Sequence, residues 1–162
     1  MEKSHPLRDF TVLVVEDNPG VLEATTYLIK AAFGCSVLTA SSCVEALVLI
    51  DEGSRVDLIL SDVVLPGKDG LTLARMARER VPDLPVVLTT GWEDEIESIV
   101  ERGYVALVKP YRVDQLEAVL TELLCTPVVA RTPRRTDGDD VDVALHPALE
   151  TRGKKPWHAS HK

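Results

Sequence analysis

Four short segments of this chain carry side chains that could do chemistry together: Glu16-Asp17, Asp62, Thr89-Thr90-Gly91 and Lys109-Pro110. They supply three carboxylates, two hydroxyls and one ammonium group. Carboxylates held close to one another repel, and each raises the proton affinity of the next. A divalent cation removes that conflict, and ligands made only of oxygen suit hard Mg²⁺ or Mn²⁺. A cation, an ammonium and a hydroxyl around a carboxylate also meet the needs of phosphoryl transfer: in-line positioning and neutralised charge on the equatorial oxygens. A carboxylate is itself an established covalent nucleophile. Each residue alone has an ordinary explanation as a loop, cap, strand or surface group. Their meaning depends on whether the fold gathers them.

Five apolar runs lie between Thr11 and Val108: TVLVV (11–15), SVLTA (36–40), DLILS (57–61), PVVLTT (85–90) and VALV (105–108). None alternates apolar with polar, so each predicts a strand buried on both faces of a parallel sheet. Segments of helical period separate them. Residues 19–33 align Val21, Leu22, Thr25, Leu28, Ile29 and Ala32, and residues 42–52 align Val44, Ala46, Leu47 and Ile50. Residues 69–80 align Leu73, Ala74 and Ala77, and residues 113–124 align Val113, Leu116, Val119, Leu120, Leu123 and Leu124. The fourth helix, 93–102, is the weakest, with Ile96, Ile99 and Val100 among Glu93, Asp94, Glu95, Glu97 and Glu101. Asn18 before Pro19 and Asp69 before the third helix read as N-caps, while Gly34 and Gly103 read as helix stops. This alternation predicts an α/β, doubly wound parallel sheet with right-handed crossovers.

In open sheets of this kind, ligands bind beyond the carboxyl ends of the strands. Glu16-Asp17 follow the first strand, Asp62 the third, Thr89-Thr90 close the fourth and Lys109 follows the fifth. All of them therefore meet on one rim. That shared placement outweighs the separate ordinary explanations.

The segments VLVVEDN (12–18), LILSDVVLPGKDG (58–70), PVVLTTG (85–91) and LVKPY (107–111), in this order and spacing, resemble a response-regulator receiver domain of two-component signal transduction, over residues 10–126. The resemblance implies a five-stranded parallel sheet in the order 2-1-3-4-5, flavodoxin-like, with five helices. It implies a phosphorelay role in which Asp62 is the phosphoacceptor, attacking a phosphohistidine to become an aspartyl phosphate. Asp17 and Asp62 would hold Mg²⁺ (or Mn²⁺) directly, with the backbone carbonyl of Val64, and Glu16 would act on it through water. Lys109 would pair with phosphoryl oxygens, and Thr90 would move to hydrogen-bond them, while Thr89 points to the opposite face of its strand. Pro66, Gly67 and Gly70 would shape the loop after Asp62, with Gly67 at positive φ. The implied partners are a sensor histidine kinase or histidine phosphotransfer protein, docking on the first helix, and a downstream protein. The surface of the fourth helix, fifth strand and fifth helix would serve output or homodimerisation. Such a domain is not an enzyme beyond self-phosphorylation and slow autodephosphorylation.

Two positions depart from the family pattern. Many receivers carry Tyr or Phe three residues before the lysine, an aromatic that swings inward as the Thr moves. Here that residue is Ala106, and Tyr104 lies two residues earlier on the same strand face, which puts the Thr–aromatic switch in question. The side chains two beyond Asp62 and two beyond Thr90, which flank the path of hydrolytic water in the family, are Val64 and Trp92. Both are apolar, so the aspartyl phosphate is expected to hydrolyse slowly.

Two rival functions are weighed against this one. A haloacid-dehalogenase-like phosphatase would want a general-acid Asp two residues after the nucleophile, where Val64 stands. A receiver-like binding module that never accepts phosphate conflicts with the set Glu16, Asp17, Asp62, Thr90 and Lys109, although Ala106 favours it slightly.

Charge and composition agree with the signalling reading. The 162 residues carry a net charge of −8, which argues against non-specific binding to nucleic acid or anionic membrane. Residues 1–126 hold 11 basic and 21 acidic side chains, and the rest is near neutral. Cys35, Cys43 and Cys125 have neither disulfide nor zinc spacing and read as buried or half-buried thiols. No signal peptide or spanning run is visible, so a cytoplasmic location is expected. Residues 1–9 read as a leader. Residues 127–162 mix Pro, Gly and both charge signs and read as a flexible, mostly disordered tail, with one short helix near Val143–Glu150 and no effector domain. A start at Met1 just before the first strand favours a stand-alone receiver over an internal piece of a hybrid kinase. Arg131, Arg134 and Arg135 read as solvated linker rather than a DNA contact. His5, His146, His158 and His161 lie in terminal segments, and none is expected to be a phosphodonor.

Overall fold

A computed structural model describes residues 5–126. The tail, with the helix expected at 143–150 and three of the four histidines, lies outside the described residues. Five strands alternate with five helices: β1 Thr11–Val15, α1 Pro19–Phe33, β2 Ser36–Ala40, α2 Cys43–Asp51, β3 Leu58–Asp62, α3 Gly70–Arg80, β4 Val86–Thr90, α4 Glu95–Glu101, β5 Val105–Val108 and α5 Val113–Cys125. All strand pairs are parallel and the order is β2-β1-β3-β4-β5, as the resemblance implies. Register places Val15 beside Ser61, Asp62 beside Thr89 and Thr90 beside Val108. The carboxyl ends of β1, β3, β4 and β5 are therefore level. Among the described residues no helix is long and apolar enough to cross a membrane.

Strand alternation divides the core into two layers. Val12, Val14, Leu58, Leu60, Val87 and Leu107 face Ile29 and Phe33 of α1 and Leu116, Val119 and Leu120 of α5. Leu13, Ile59, Val86, Leu88 and Ala106 face α2, α3 and Ile99 of α4. Residues ahead of β1 join the first layer. Leu7 is fully buried, its carbonyl accepts from Cys35 Sγ at 3.2 Å, and the His5 ring lies against Phe33.

The capping signals act as their chemistry requires. Asn18 Oδ1 accepts from the N–H groups of Gly20 and Val21, Asp69 Oδ1 accepts from Thr72 N–H at 2.7 Å, and Gly34 closes α1 at φ 70°. Gly67 also adopts positive φ, at 77°.

Several burial expectations are corrected. Val21, Ala32, Val44 and Val113 are exposed, while Phe33 and Cys43 are buried beside the expected Ile29, Ala46 and Leu47. Each of these valines sits in the first turn of its helix. Strand β2 is half exposed because it is the sheet edge and has a neighbour on one side only. Cys125, at the last turn of α5, is exposed rather than buried or half-buried.

Candidate functional site

The rim of the sheet gathers most of the residues that the sequence singles out. Strand β3 delivers Asp62 at its last position, and the chain then turns sharply. Val63 N–H pairs with the Thr89 carbonyl at 2.9 Å, and Val64 N–H donates to Asp62 Oδ1 at 3.0 Å. The other carboxylate oxygen, Oδ2, accepts from Lys109 Nζ at 2.5 Å. Lys109 also reaches Glu16 Oε2, at 3.3 Å, so one ammonium is shared by carboxylates from the ends of β1 and β3. Glu16 is almost wholly buried, 6% exposed, and its Oε1 accepts from Asn18 N–H at 3.1 Å. Asp17 stands exposed at the mouth of the site.

Electrostatics follow from this arrangement. Burial pushes the Glu16 carboxyl above the usual carboxylate range, helped by Asp62 and opposed by the Asn18 N–H and Lys109. Burial also works against the Lys109 charge, yet the Asp62 hydrogen bond and charge, with Glu16 behind them, outweigh it and hold the lysine above its ordinary range. Tyr111 packs in the layer of α1 and α5. Burial pushes its phenol up, against a hydrogen bond with Thr25 of α1.

Loop geometry after Asp62 depends on Gly70. A Cβ there would stand 2.2 Å from the Asp62 carbonyl oxygen and 3.0 Å from Val63 Cα. The close approach also brings Gly70 N–H to the Val63 carbonyl at 2.8 Å. Glycine at this position lets α3 begin directly against the end of β3. Sequence reasoning assigned Gly70 to loop shape without seeing this contact.

Thr89 and Thr90 separate as alternation predicts. Thr89 Oγ1 donates to the Ser61 carbonyl at 3.4 Å, whereas Thr90 lies on the face of Leu88, against α4. Thr90 is 1% exposed, and its hydroxyl donates to Glu95 Oε2 while accepting from Trp92 N–H at 3.1 Å. The sequence marked Glu95 only as one of an acidic run. Beside these residues, Ala106 is fully buried opposite Leu88. Tyr104 packs against the same layer and is covered by the Arg78 guanidinium, 4.2 Å from the ring centre, which also donates to the Gly103 carbonyl. Val64 and Trp92 are both largely exposed, 63% each.

The donor chemistry fits a hard cation, since Asp17, Glu16, Asp62 and the Val64 carbonyl are all oxygen donors and buried Glu16 gains from a positive neighbour. Lys109 is bonded to one oxygen of Asp62 and one of Glu16. Among the described residues no group of three or more His, Cys, Asp or Glu side chains stands ready to hold a metal ion.

Comparison with known proteins agrees with the fold. Residues 12–121 match the model of the response regulator receiver domain family, and the chain belongs to that family. It is similar to sensor kinase CckA of Brucella abortus, 34% identical over 120 residues that make up 70% of this chain and 12% of the kinase. It is also similar to the two-component response regulator PhoP of Pseudomonas aeruginosa, 33% identical over 116 residues, 70% of this chain and 51% of that protein. The chain thus spans about half or less of these relatives. Among solved structures it is similar to response regulator TrrA of Thermotoga maritima in complex with Mg²⁺-BeF, at 26% identity and a TM-score of 0.66, covering 72% of this chain and all of the other. Domains of this family serve phosphorelay signalling as phosphoacceptors rather than enzymes, bind Mg²⁺ at the phosphorylation site and interact with histidine kinases or phosphotransfer proteins.

Proposed function

We propose that this chain accepts a phosphoryl group from a phosphohistidine donor onto Asp62, in a Mg²⁺-dependent reaction that switches a protein-interaction surface. The observation that carries this reading is the Asp62–Lys109 contact at the carboxyl rim, with buried Glu16 on the same ammonium. A carboxylate oxygen of Asp62 attacks phosphorus in line, the P–N bond breaks, and the departing imidazole nitrogen keeps the electron pair and takes up a proton. Val64 N–H holds Asp62 Oδ1 while Lys109 holds Oδ2, which fixes the orientation of the carboxylate. Lys109 moves its charge from the carboxylate to the phosphoryl oxygens, and Thr90 completes their hydrogen bonding. Asp17, Asp62 and the Val64 carbonyl would hold Mg²⁺ (Mn²⁺ as a substitute), with Glu16 acting through water, and what the bound cation supplies is charge neutralisation at those oxygens.

The donor's docking site is assigned to α1, whose outer face carries exposed Tyr27 and Val21. Output, or pairing with a second copy, is assigned to the surface of α4, β5 and α5. The cytoplasm, where such donors act, is the compartment this reading implies. Titration with acetyl phosphate and Mg²⁺ tests it against both rivals. A phosphoacceptor retains one phosphoryl group per chain; a binding module retains none; a phosphatase releases phosphate turnover after turnover.

A further inference from the structure

The Thr90 hydroxyl is committed in this structure. Its single proton goes to Glu95 Oε2, and its oxygen receives Trp92 N–H. While Glu95 holds that proton, Thr90 has none to give to a phosphoryl oxygen on Asp62. We infer that Glu95 is a positioning residue that holds Thr90 in the resting orientation and competes with the phosphoryl group for the same hydroxyl proton. This inference rests on the phosphoacceptor reading of Asp62.

The competition is close to balanced in kind, because both acceptors are anionic and both bonds are charge-assisted. Glu95 therefore sets how much of the protein is ready rather than blocking the change. Burial of Thr90 sharpens the choice, since a hydroxyl this enclosed must find a protein or ligand acceptor.

The same contact reaches the side assigned to output. Glu95 is the first residue of α4, and the N-cap residue Asp94 makes no side-chain capping bond there. The Glu95 carboxylate thus ties the first turn of α4 to the end of β4. When Thr90 turns toward a phosphoryl group, that tie is released. An aromatic ring does not follow it, because Ala106 has none and Tyr104 is held by Arg78 on the far side. The link from site to helix runs through a polar contact instead.

The test uses the full chain, saturating Mg²⁺ and beryllofluoride as the phosphoryl probe, followed by calorimetry. Glu95→Ala is expected to bind beryllofluoride about tenfold more tightly than the wild type, with Glu95→Gln in between, since its neutral amide oxygen accepts more weakly. In a Thr90→Ala background the Glu95→Ala gain is expected to vanish. An equal gain in both backgrounds would reduce Glu95 to a remote charge and overturn the inference, and so would unchanged affinity in Glu95→Ala and Glu95→Gln. Failure of the wild type itself to bind beryllofluoride would instead overturn the phosphoacceptor reading, and this inference with it. Amide shifts in the first turn of α4 on beryllofluoride addition supply the second readout. They are expected in the wild type and lost in Thr90→Ala, and their persistence there contradicts the link.

Discussion

Lys109 Nζ lies 2.5 Å from Asp62 Oδ2, which joins the end of β5 to the end of β3 across the intervening strand β4. The contact spans 47 positions in sequence, yet it depends on three level strand ends and nothing more elaborate. Under the proposed phosphoacceptor reading, it holds the Asp62 carboxylate still and keeps a positive charge beside it.

Removing that ammonium should affect both phosphorylation and stability. Lys109→Ala is expected to slow labelling from acetyl phosphate by roughly a hundredfold, the scale on which one preorganised donor acts. The variant also leaves buried Glu16 facing Asp62 without a cation, a loss of about 1–3 kcal/mol measurable by urea unfolding. The pH dependence has a fixed sign. Because the folded protein holds Lys109 above its ordinary range, its contribution is complete below the unfolded lysine pKa and is lost as pH rises through the folded one. The stability gap between wild type and variant should therefore close as pH rises through the folded lysine range. It should shrink toward acid as well, where protonation of Glu16 removes a charge that Lys109 pairs with. A gap that persists unchanged in alkaline solution would contradict the pairing.

Gly70 should tolerate no side chain. Gly70→Ala forces a methyl onto the Asp62 carbonyl, so α3 or the end of β3 has to shift. A loss of about 3 kcal/mol is expected, at the upper end of overpacking costs. Labelling of Asp62 should fall too, because the carboxylate moves with its backbone. Thermal unfolding and acetyl phosphate labelling measure the two effects, and a variant as stable as the wild type would show that the close approach does not exist.

Hydrolysis of the aspartyl phosphate should be slow. Val64 offers no hydrogen-bonding side-chain group to orient an attacking water, and Trp92 offers only an indole N–H, which donates and cannot take a proton from that water. Both are largely exposed. After removal of the donor, the label is expected to persist for minutes or longer. Val64→Asn should shorten its lifetime by giving that water a partner. Decay within seconds in the purified wild type would contradict this assignment.

The legible parts of this molecule are those encoded locally. Unbroken runs such as LILSD report a parallel strand, and Asn18, Gly34 and Asp69 mark helix ends through their own short-range chemistry. Level strand ends then bring Asp62, Glu16 and Lys109 together without further information. What the sequence concealed depends on tertiary geometry. Glu95 looks like any member of an acidic run until the fold aims it at Thr90, five residues back. The place of Gly70 follows from how closely α3 approaches β3, and no periodicity reports that distance. Val21 and Val44 match a helical stripe, yet both are exposed while Phe33 and Cys43 are buried, and periodicity alone does not report which part of the stripe meets the sheet. Tyr104 is alternation-matched to Ala106, whereas its capture by Arg78 needs α3 beside it.

The most direct test follows the phosphoryl group itself. The full chain is incubated with Mg²⁺ and a radiolabelled phosphohistidine donor, and the labelled residue is located by peptide mapping after reductive trapping of the acyl phosphate. One label on Asp62 in the wild type, absent in Asp62→Asn with the fold intact, is the predicted result. Label that survives Asp62→Asn, or that maps to another residue, contradicts the assignment of Asp62 as the phosphoacceptor.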